Sequence, residues 1–130
     1  YDFGQKKILL DKIKSFNNIF LVGHLEEEEK KILLRNSNFF ILTSDYESFS
    51  ISTIESLASG VPVIISKTIP WQDVEENECG LVAKNDISSI VSVLERSKFV
   101  NFKPESCLNY VKSRFDWKII ANNFCKTFLS

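Results

Sequence analysis

The chain reads as an α/β protein, a parallel sheet flanked by helices, and three observations carry that reading. Four short apolar runs, Ile19–Val22, Phe39–Leu42, Val61–Ile65 and Gly80–Ala83, show no polar alternation, as strands covered on both faces do. The segments between them space their apolar residues at helical intervals. Gly23, Gly60 and Pro62 stand at the junctions as turn and stop signals. Strands that alternate with amphipathic helices pack as a parallel sheet wrapped by helices.

Each element follows in order. Lys6–Ser15 predicts a helix with Ile8, Leu9, Ile13 and Phe16 on one side and lysines on the other. Ile19–Val22 predicts a buried strand ending at Gly23. Glu26–Arg35 opens acidic and closes basic, the charge order a helix dipole favours, with Ile32, Leu33 and Leu34 expected inward. The strand Phe39–Leu42 runs into the polar loop Thr43–Ser50. A helix over Ile51–Ser59 then places Ile51, Ile54, Leu57 and Ala58 on one face. Gly60 stops that helix and Pro62 prevents its resumption. Val61–Ile65 is the third strand, Pro70–Val74 a short helical turn with proline first, and Gly80–Ala83 the fourth strand. Asp86 or Ser88 caps a helix that lasts to about Arg96. Pro104–Ser130 predicts two helices broken near Phe115-Asp116-Trp117, with Asp116 capping the second.

Composition narrows the function classes. At 130 residues, 44% hydrophobic and 25% charged, the chain is one soluble domain with a real core. A net charge of −1 argues against a nucleic-acid binder, which needs a basic face to displace counterions. No apolar run approaches the ~20 residues that span a bilayer. The segment Tyr1–Gln5 lacks the apolar stretch of a signal peptide and does not begin with Met, so the chain is expected to be part of a longer polypeptide. Cys79, Cys107 and Cys125 form no C-x-x-C pair, and His24 is the single histidine, so no zinc cluster is expected. Three scattered thiols fit a reducing, cytoplasmic compartment.

In a parallel sheet, ligands collect where strands lead into helices at the carboxyl edge. The loop Thr43–Ser50 is hydroxyl-rich and feeds directly into the helix at Ile51. Free amides and the positive dipole end there suit an anion, and a diphosphate is the natural guest. Glu47 and Glu55 flank this corner in sequence. Carboxylates repel phosphate, so their partners should be hydroxyl groups, each such charged bond being worth roughly 1.5–3 kcal/mol.

These residues carry a family resemblance. The segment from Ser44 to Ile64 resembles the signature of the large retaining glycosyltransferase family (group 1) with the two-domain GT-B architecture. That pattern is S-x-x-E-G-F-G, an acidic residue eight positions after the first Glu, then A-x-x-x-G-x-P-V. Glu47 and Glu55 hold that spacing, and Gly60, Pro62 and Val63 follow; Ser48 and Ser50 stand where the family prefers glycine. Phe20-Leu21-Val22-Gly23 is similar to the family's F-L-G strand end, Cys79–Val82 to its G-x-L-V strand, and Phe115-Asp116-Trp117 to its F-S-W.

The resemblance implies that residues 1–130 are part of the Rossmann-like, donor-nucleotide-binding half of such an enzyme. It implies that Glu55 holds the ribose diol and that Glu47 contacts the transferred sugar. Backbone amides around Phe49, Ser50 and Ile51, with Ser48 beside them, would hold the diphosphate, and the loop Gly23-His24-Leu25 would lie by the base. It further implies retention of anomeric configuration, no protein nucleophile, no cofactor and no required metal. The partners implied are a nucleotide sugar, an acceptor glycan or lipid-linked glycan, and an N-terminal acceptor domain of the same polypeptide. That preceding sequence would also supply a basic pair for the diphosphate and two strands between those at Ile19–Val22 and Phe39–Leu42. Without those strands the sheet has an open edge, which is expected to recruit a strand, for example from a second copy. The expected setting is cytoplasmic, peripheral at the inner membrane face through the remainder of the protein, in bacterial polysaccharide or other glycan synthesis.

Plainer readings compete at each position. Ser52-Thr53-Ile54-Glu55 fits a capping box in which Glu55 only satisfies the backbone at Ser52. Glu47 alone is also compatible with an exposed loop acid, Glu26–Glu29 with a solvated first turn, and His24 with a turn residue. Trp71 reads as a partly buried anchor of its turn rather than a shield for the sugar. Phe115, Trp117, Phe124 and Phe128 read as core or as a surface covered by another domain. The rival function is a non-catalytic binding or regulatory module on the same scaffold.

Overall fold

The computed structural model describes residues 5–128. Contacts divide the chain into two units, Tyr1–Lys30 and Lys31–Ser130.

In the first unit, α1 (Gln5–Ile13) matches the expected helix but buries none of its residues. A turn closed by the Phe16 amide on the Ile13 carbonyl (2.9 Å) ends it. The expected strand at Ile19–Val22 is absent. Its residues are 45%, 79%, 44% and 58% exposed and have no strand geometry. A strand exists only through its ladder, and the sheet of the described residues does not include this run. Gly23 turns the chain at φ +73° into α2 (Glu27–Arg35). The Glu29 carboxylate reaches back to accept from the Glu26 amide at 2.9 Å, half of a capping box. The acidic turn is therefore solvated and structural. Ile32 and Leu33, expected inward, are exposed, because no described element covers that side of α2.

The second unit holds a parallel sheet in the order β1 (Phe40–Leu42), β2 (Val63–Ser66), β3 (Gly80–Ala83). Phe40 pairs with Val63 and Val63 with Gly80, and the register continues to Leu42 and Ala83. β2 is central and every residue in it is buried. Its side chains alternate between two cores, as the strand period of two requires. Val63 and Ile65 join Leu57, Ile69, Val74, Cys79, Cys107 and Tyr110 on one face. Ile64 joins Leu81, Ala83 and Val93 on the other. A side chain at Gly80 would place its Cβ 2.6 Å from the Val63 carbonyl oxygen, so glycine allows this close pairing.

The helices α3 (Ile51–Ala58), α4 (Ile87–Ser97), α5 (Pro104–Phe115) and α6 (Trp117–Phe128) complete the unit, with a 3-10 turn at Gln72–Val74. α3 ends in a Schellman motif: the Val61 amide donates to the Ser56 carbonyl and the Gly60 amide to Leu57, with Gly60 at φ +79°. This turn takes up Val61 and Pro62, so β2 starts at Val63 rather than Val61. The inward face of α3 is also not the expected one. Thr53, Ser56 and Leu57 are buried, while Ile51 and Ala58 are exposed. Local bonds make this polar face tolerable: the Thr53 and Ser50 hydroxyls share a 2.7 Å bond and Ser56 donates to the Val61 carbonyl at 3.1 Å.

Asp86, not Ser88, caps α4 by accepting from the Ser89 amide at 2.8 Å. Asp116 caps α6, accepting from the Lys118 amide at 2.8 Å. α6 buries no residue, and Trp117, Phe124 and Phe128 are exposed. Among the described residues no helix is long and apolar enough to cross a membrane.

Candidate functional site

The loops that leave β1, β2 and β3 at their carboxyl ends are tied to one another. The Ser44 carbonyl, two residues past β1, accepts from the Ser66 hydroxyl at 2.7 Å and from Thr68. Asp45 accepts from the Asn85 side chain beyond β3. The Phe49 carbonyl accepts from the Trp71 indole at 2.6 Å. These bonds leave Thr43–Ser50 a fixed shelf at the carboxyl edge of the sheet, where an open α/β sheet places its ligand.

The shelf turns into α3 through Ser50, which is buried and left-handed at φ 62°, ψ 67°. A non-glycine residue there costs roughly 1–2 kcal/mol. The helical residue Ile51 follows directly. A left-handed residue succeeded by a right-handed one points successive N–H groups into a shared concavity, an anion-binding nest. The amides of Thr53 and Ile54 already bond the Ser50 carbonyl, at 3.1 and 3.4 Å. Those of Ser50, Ile51 and Ser52 come before the first of these bonds. The helix dipole adds to their positive end.

Glu47 is half-buried on the shelf and accepts from the Ser44 hydroxyl at 3.0 Å. One such bond orients a carboxylate and leaves it acceptor capacity. Glu55 is half-buried one turn into α3. The capping-box reading of Ser52 and Glu55 fails on geometry. Ser50 occupies the cap position, so Ser52 lies inside the helix and Glu55 is its fifth residue. Nor does the Ser50 hydroxyl cap a backbone amide; it bonds Thr53 instead.

The structure thus brings Glu47, Ser48, Phe49, Ser50, Ile51 and Glu55 to one loop–helix corner. Gly23, His24 and Leu25 belong to the other unit. There His24 is exposed, with Nε2 3.8 Å from Glu26, as a turn residue would be. That unit's open recess, lined by Ile8, Leu9, Leu21 and Gly23 with Gln5, Lys6 and Lys12 at its rim, is apolar.

Two features of the edge go beyond what the sequence pattern predicts. The hydroxyls of Ser66 and Thr68 join it, and polar residues just after a strand are the signal that could have marked them. Asp73 is the other. It accepts from the Tyr110 phenol at 2.6 Å and from Arg114, whose guanidinium lies 3.9 Å from the centre of the Tyr110 ring. Burial acts to raise the Asp73 pKa, but the Tyr110 bond and the Arg114 charge outweigh it and hold the carboxyl below its usual range. Burial, and then the bond to Asp73, push the Tyr110 phenol up. This cluster ties the 3-10 turn to α5. No signal in the sequence pairs residues so far apart.

Burial pushes the Cys79 thiol up to about 12 and that of Cys107 to about 11, so neither supplies a thiolate near neutral pH. Among the described residues no cluster of His, Cys, Asp and Glu is disposed to hold a metal ion.

The carboxyl edge of the parallel sheet thus carries a tied loop, a left-handed residue at the start of a helix and two half-buried carboxylates. Residues 4–102 match the family described as glycosyl transferases group 1, and the chain belongs to that family. It is 22% identical, over 96% of its length, to a phosphatidylinositol N-acetylglucosaminyltransferase subunit of Homo sapiens, covering 28% of that protein. To the glycogen synthase of Mycobacterium tuberculosis it is 26% identical over 84% of its length, again covering 28% of the relative. An MMP alpha-(1->4)-mannosyltransferase of Mycolicibacterium hassiacum is 33% identical over 55% of this chain and is covered to 18%. Among solved structures, the sucrose-phosphate synthase of Thermosynechococcus elongatus matches with a TM-score of 0.75 at 20% identity, over 95% of this chain and 33% of that one. That likeness establishes the fold, the C-terminal domain of a GT-B glycosyltransferase. The chain spans well under half the length of the relatives it matches.

Proposed function

We propose that the chain is the donor-binding domain of a glycosyltransferase that moves a sugar from a nucleoside-diphosphate sugar to an acceptor glycan or lipid-linked glycan, with retention. The acceptor is held by a further domain of the same polypeptide, and the setting is glycan synthesis on the cytoplasmic side. The observation that best supports this reading is the left-handed Ser50 at the start of α3, on the loop that also holds Glu47, a conformation that suits a nest of the Ser50, Ile51 and Ser52 amides for the diphosphate.

In transfer, the bond between the anomeric carbon and the diphosphate oxygen breaks, the acceptor hydroxyl oxygen bonds that carbon, and the hydroxyl proton passes to the departing diphosphate. Negative charge grows on the departing diphosphate. A preorganised nest acts on that growing charge, and such fixed dipoles contribute more to the transition state than to the ground state. Glu55 accepts from the ribose diol and Glu47 from the transferred sugar. No metal is needed where amides and a basic pair from the rest of the polypeptide neutralise the diphosphate.

The test is a pair of substitutions in the full-length protein that contains this chain. Glu55→Gln should lower nucleoside diphosphate affinity about tenfold, a loss of ~1.4 kcal/mol, with an unchanged melting temperature. Glu47→Gln should leave nucleoside diphosphate binding intact and reduce turnover of the sugar nucleotide. Full activity in both variants would remove the pair from the mechanism.

A further inference from the structure

We propose that Trp71 is a positioning residue for the donor diphosphate, acting through the peptide group between Phe49 and Ser50. The inference rests on the donor-site reading above and adds a residue that touches no substrate.

The indole Nε1–H donates to the Phe49 carbonyl at 2.6 Å. A trans peptide is a rigid plane whose C=O and N–H point to opposite sides. Holding the Phe49 oxygen against Trp71 therefore directs the Ser50 N–H the other way, into the nest with Ile51. The alternative orientation is available and locally better for serine. A flip of that peptide would carry Ser50 from φ +62° toward the negative values that L-residues prefer, and would take its amide out of the nest. Ser50 stays left-handed because its neighbours hold it so, and the bond from Trp71 is the one made to the peptide that would flip.

The indole is itself fixed from two sides. Its ring meets Phe49 edge-on at 5.0 Å and Phe115 at 5.2 Å, while Phe49 and Phe115 meet at 5.8 Å. Such edge-to-face contacts are favourable and set ring orientation. The backbone just beyond Trp71 is tied to α5 through Asp73, Tyr110 and Arg114. A loop contributed by one strand is thus aimed by a side chain from the next crossover, braced on α5.

Trp71→Phe in the full-length protein keeps an aromatic ring and removes the donor. The probes are uridine, guanosine and adenosine diphosphates, each compared with its own nucleoside by ligand-observed NMR. For the diphosphate that wild type binds, affinity should fall about tenfold in Trp71→Phe, the scale of one lost hydrogen bond, with nucleoside binding held within about twofold. In the ligand-free variant the φ-sensitive three-bond coupling between the Ser50 amide and Hα protons should change, as Ser50 leaves the left-handed region. Phe115→Leu, which keeps the indole donor but loosens its bracing, should show the same pattern more weakly. An equal loss for diphosphate and nucleoside would reduce Trp71 to a fold anchor and overturn the inference, as would an unchanged Ser50 coupling. A wild type that binds none of the three diphosphates would overturn the donor-site reading itself, and that result appears before any variant is measured.

Discussion

Two four-residue apolar runs in this chain begin alike and end differently. Val63-Ile64-Ile65-Ser66 forms the central strand, wholly buried, with a neighbour on each edge and a core on each face. Ile19-Phe20-Leu21-Val22 is at least as apolar, and its four side chains remain largely exposed outside any strand. Local composition does not separate them. A strand is stabilised by ladder bonds and by side chains that pack on both faces, and both depend on residues distant in sequence. The lesson is that a buried-strand pattern states what a segment requires, and its surroundings decide whether the requirement is met.

The sharpest way to break this comparison is truncation within each run. Ile64→Ala should cost about 2–5 kcal/mol, because the site is enclosed by Leu81, Ala83 and Val93 and collapses poorly. Val22→Ala should change stability by under about 0.5 kcal/mol. Urea unfolding of both variants decides it. A comparable loss in Val22→Ala would show that Ile19–Val22 is buried against something after all.

A smaller effect tests how the well-packed region holds the turn that follows β2. Asp73 has a depressed pKa in the folded chain, so its bonds to Tyr110 and Arg114 stabilise the protein above the ordinary carboxylate pKa of ~3.9. That contribution is lost as pH falls through the lower, folded value. The stability gap between wild type and Asp73→Asn should therefore be constant near neutrality and close below about pH 4. Asp73 and Arg114 are each about a third exposed, so solvent screening keeps the gap under about 1 kcal/mol. A gap that persists well into the acid range would mean that the neutral amide forfeits packing rather than charge.

The smallest effect concerns a local preference that the packed unit overrides. Ser50→Gly relieves the left-handed strain, yet adds unfolded-chain entropy and loses the bond to Thr53. The terms nearly cancel, and the net change in thermal unfolding should stay within about 0.5 kcal/mol. A large gain would show that the strain is uncompensated.

Most of the element plan was legible in the amino acids themselves. α1, α2, β1, β3, α4 and the break at Asp116 lie within a residue or two of expectation, because apolar period, caps and proline are local signals. The Glu47–Glu55 spacing and the Gly60-Val61-Pro62-Val63 stop were legible in the same way. The left-handed conformation at the start of α3 was not. The capping-box pattern at Ser52–Glu55 is genuine locally, but the left-handed Ser50 starts the helix two residues earlier, and the buried face rotates onto Thr53, Ser56 and Leu57.

By itself, then, the sequence determined the α/β class, the order of most elements and the loop on which the donor site is proposed. These follow from short-range periodicity and backbone preference, which every residue carries with it. Only the tertiary structure decided that Ile19–Val22 forms no strand, that Ser50 is left-handed, that Trp71 bonds the shelf and that Asp73 ties the turn after it to α5. Those outcomes depend on which distant residues meet. Ladder partners, ring contacts and the bond from Trp71 to Phe49 arise only once the chain has folded back on itself.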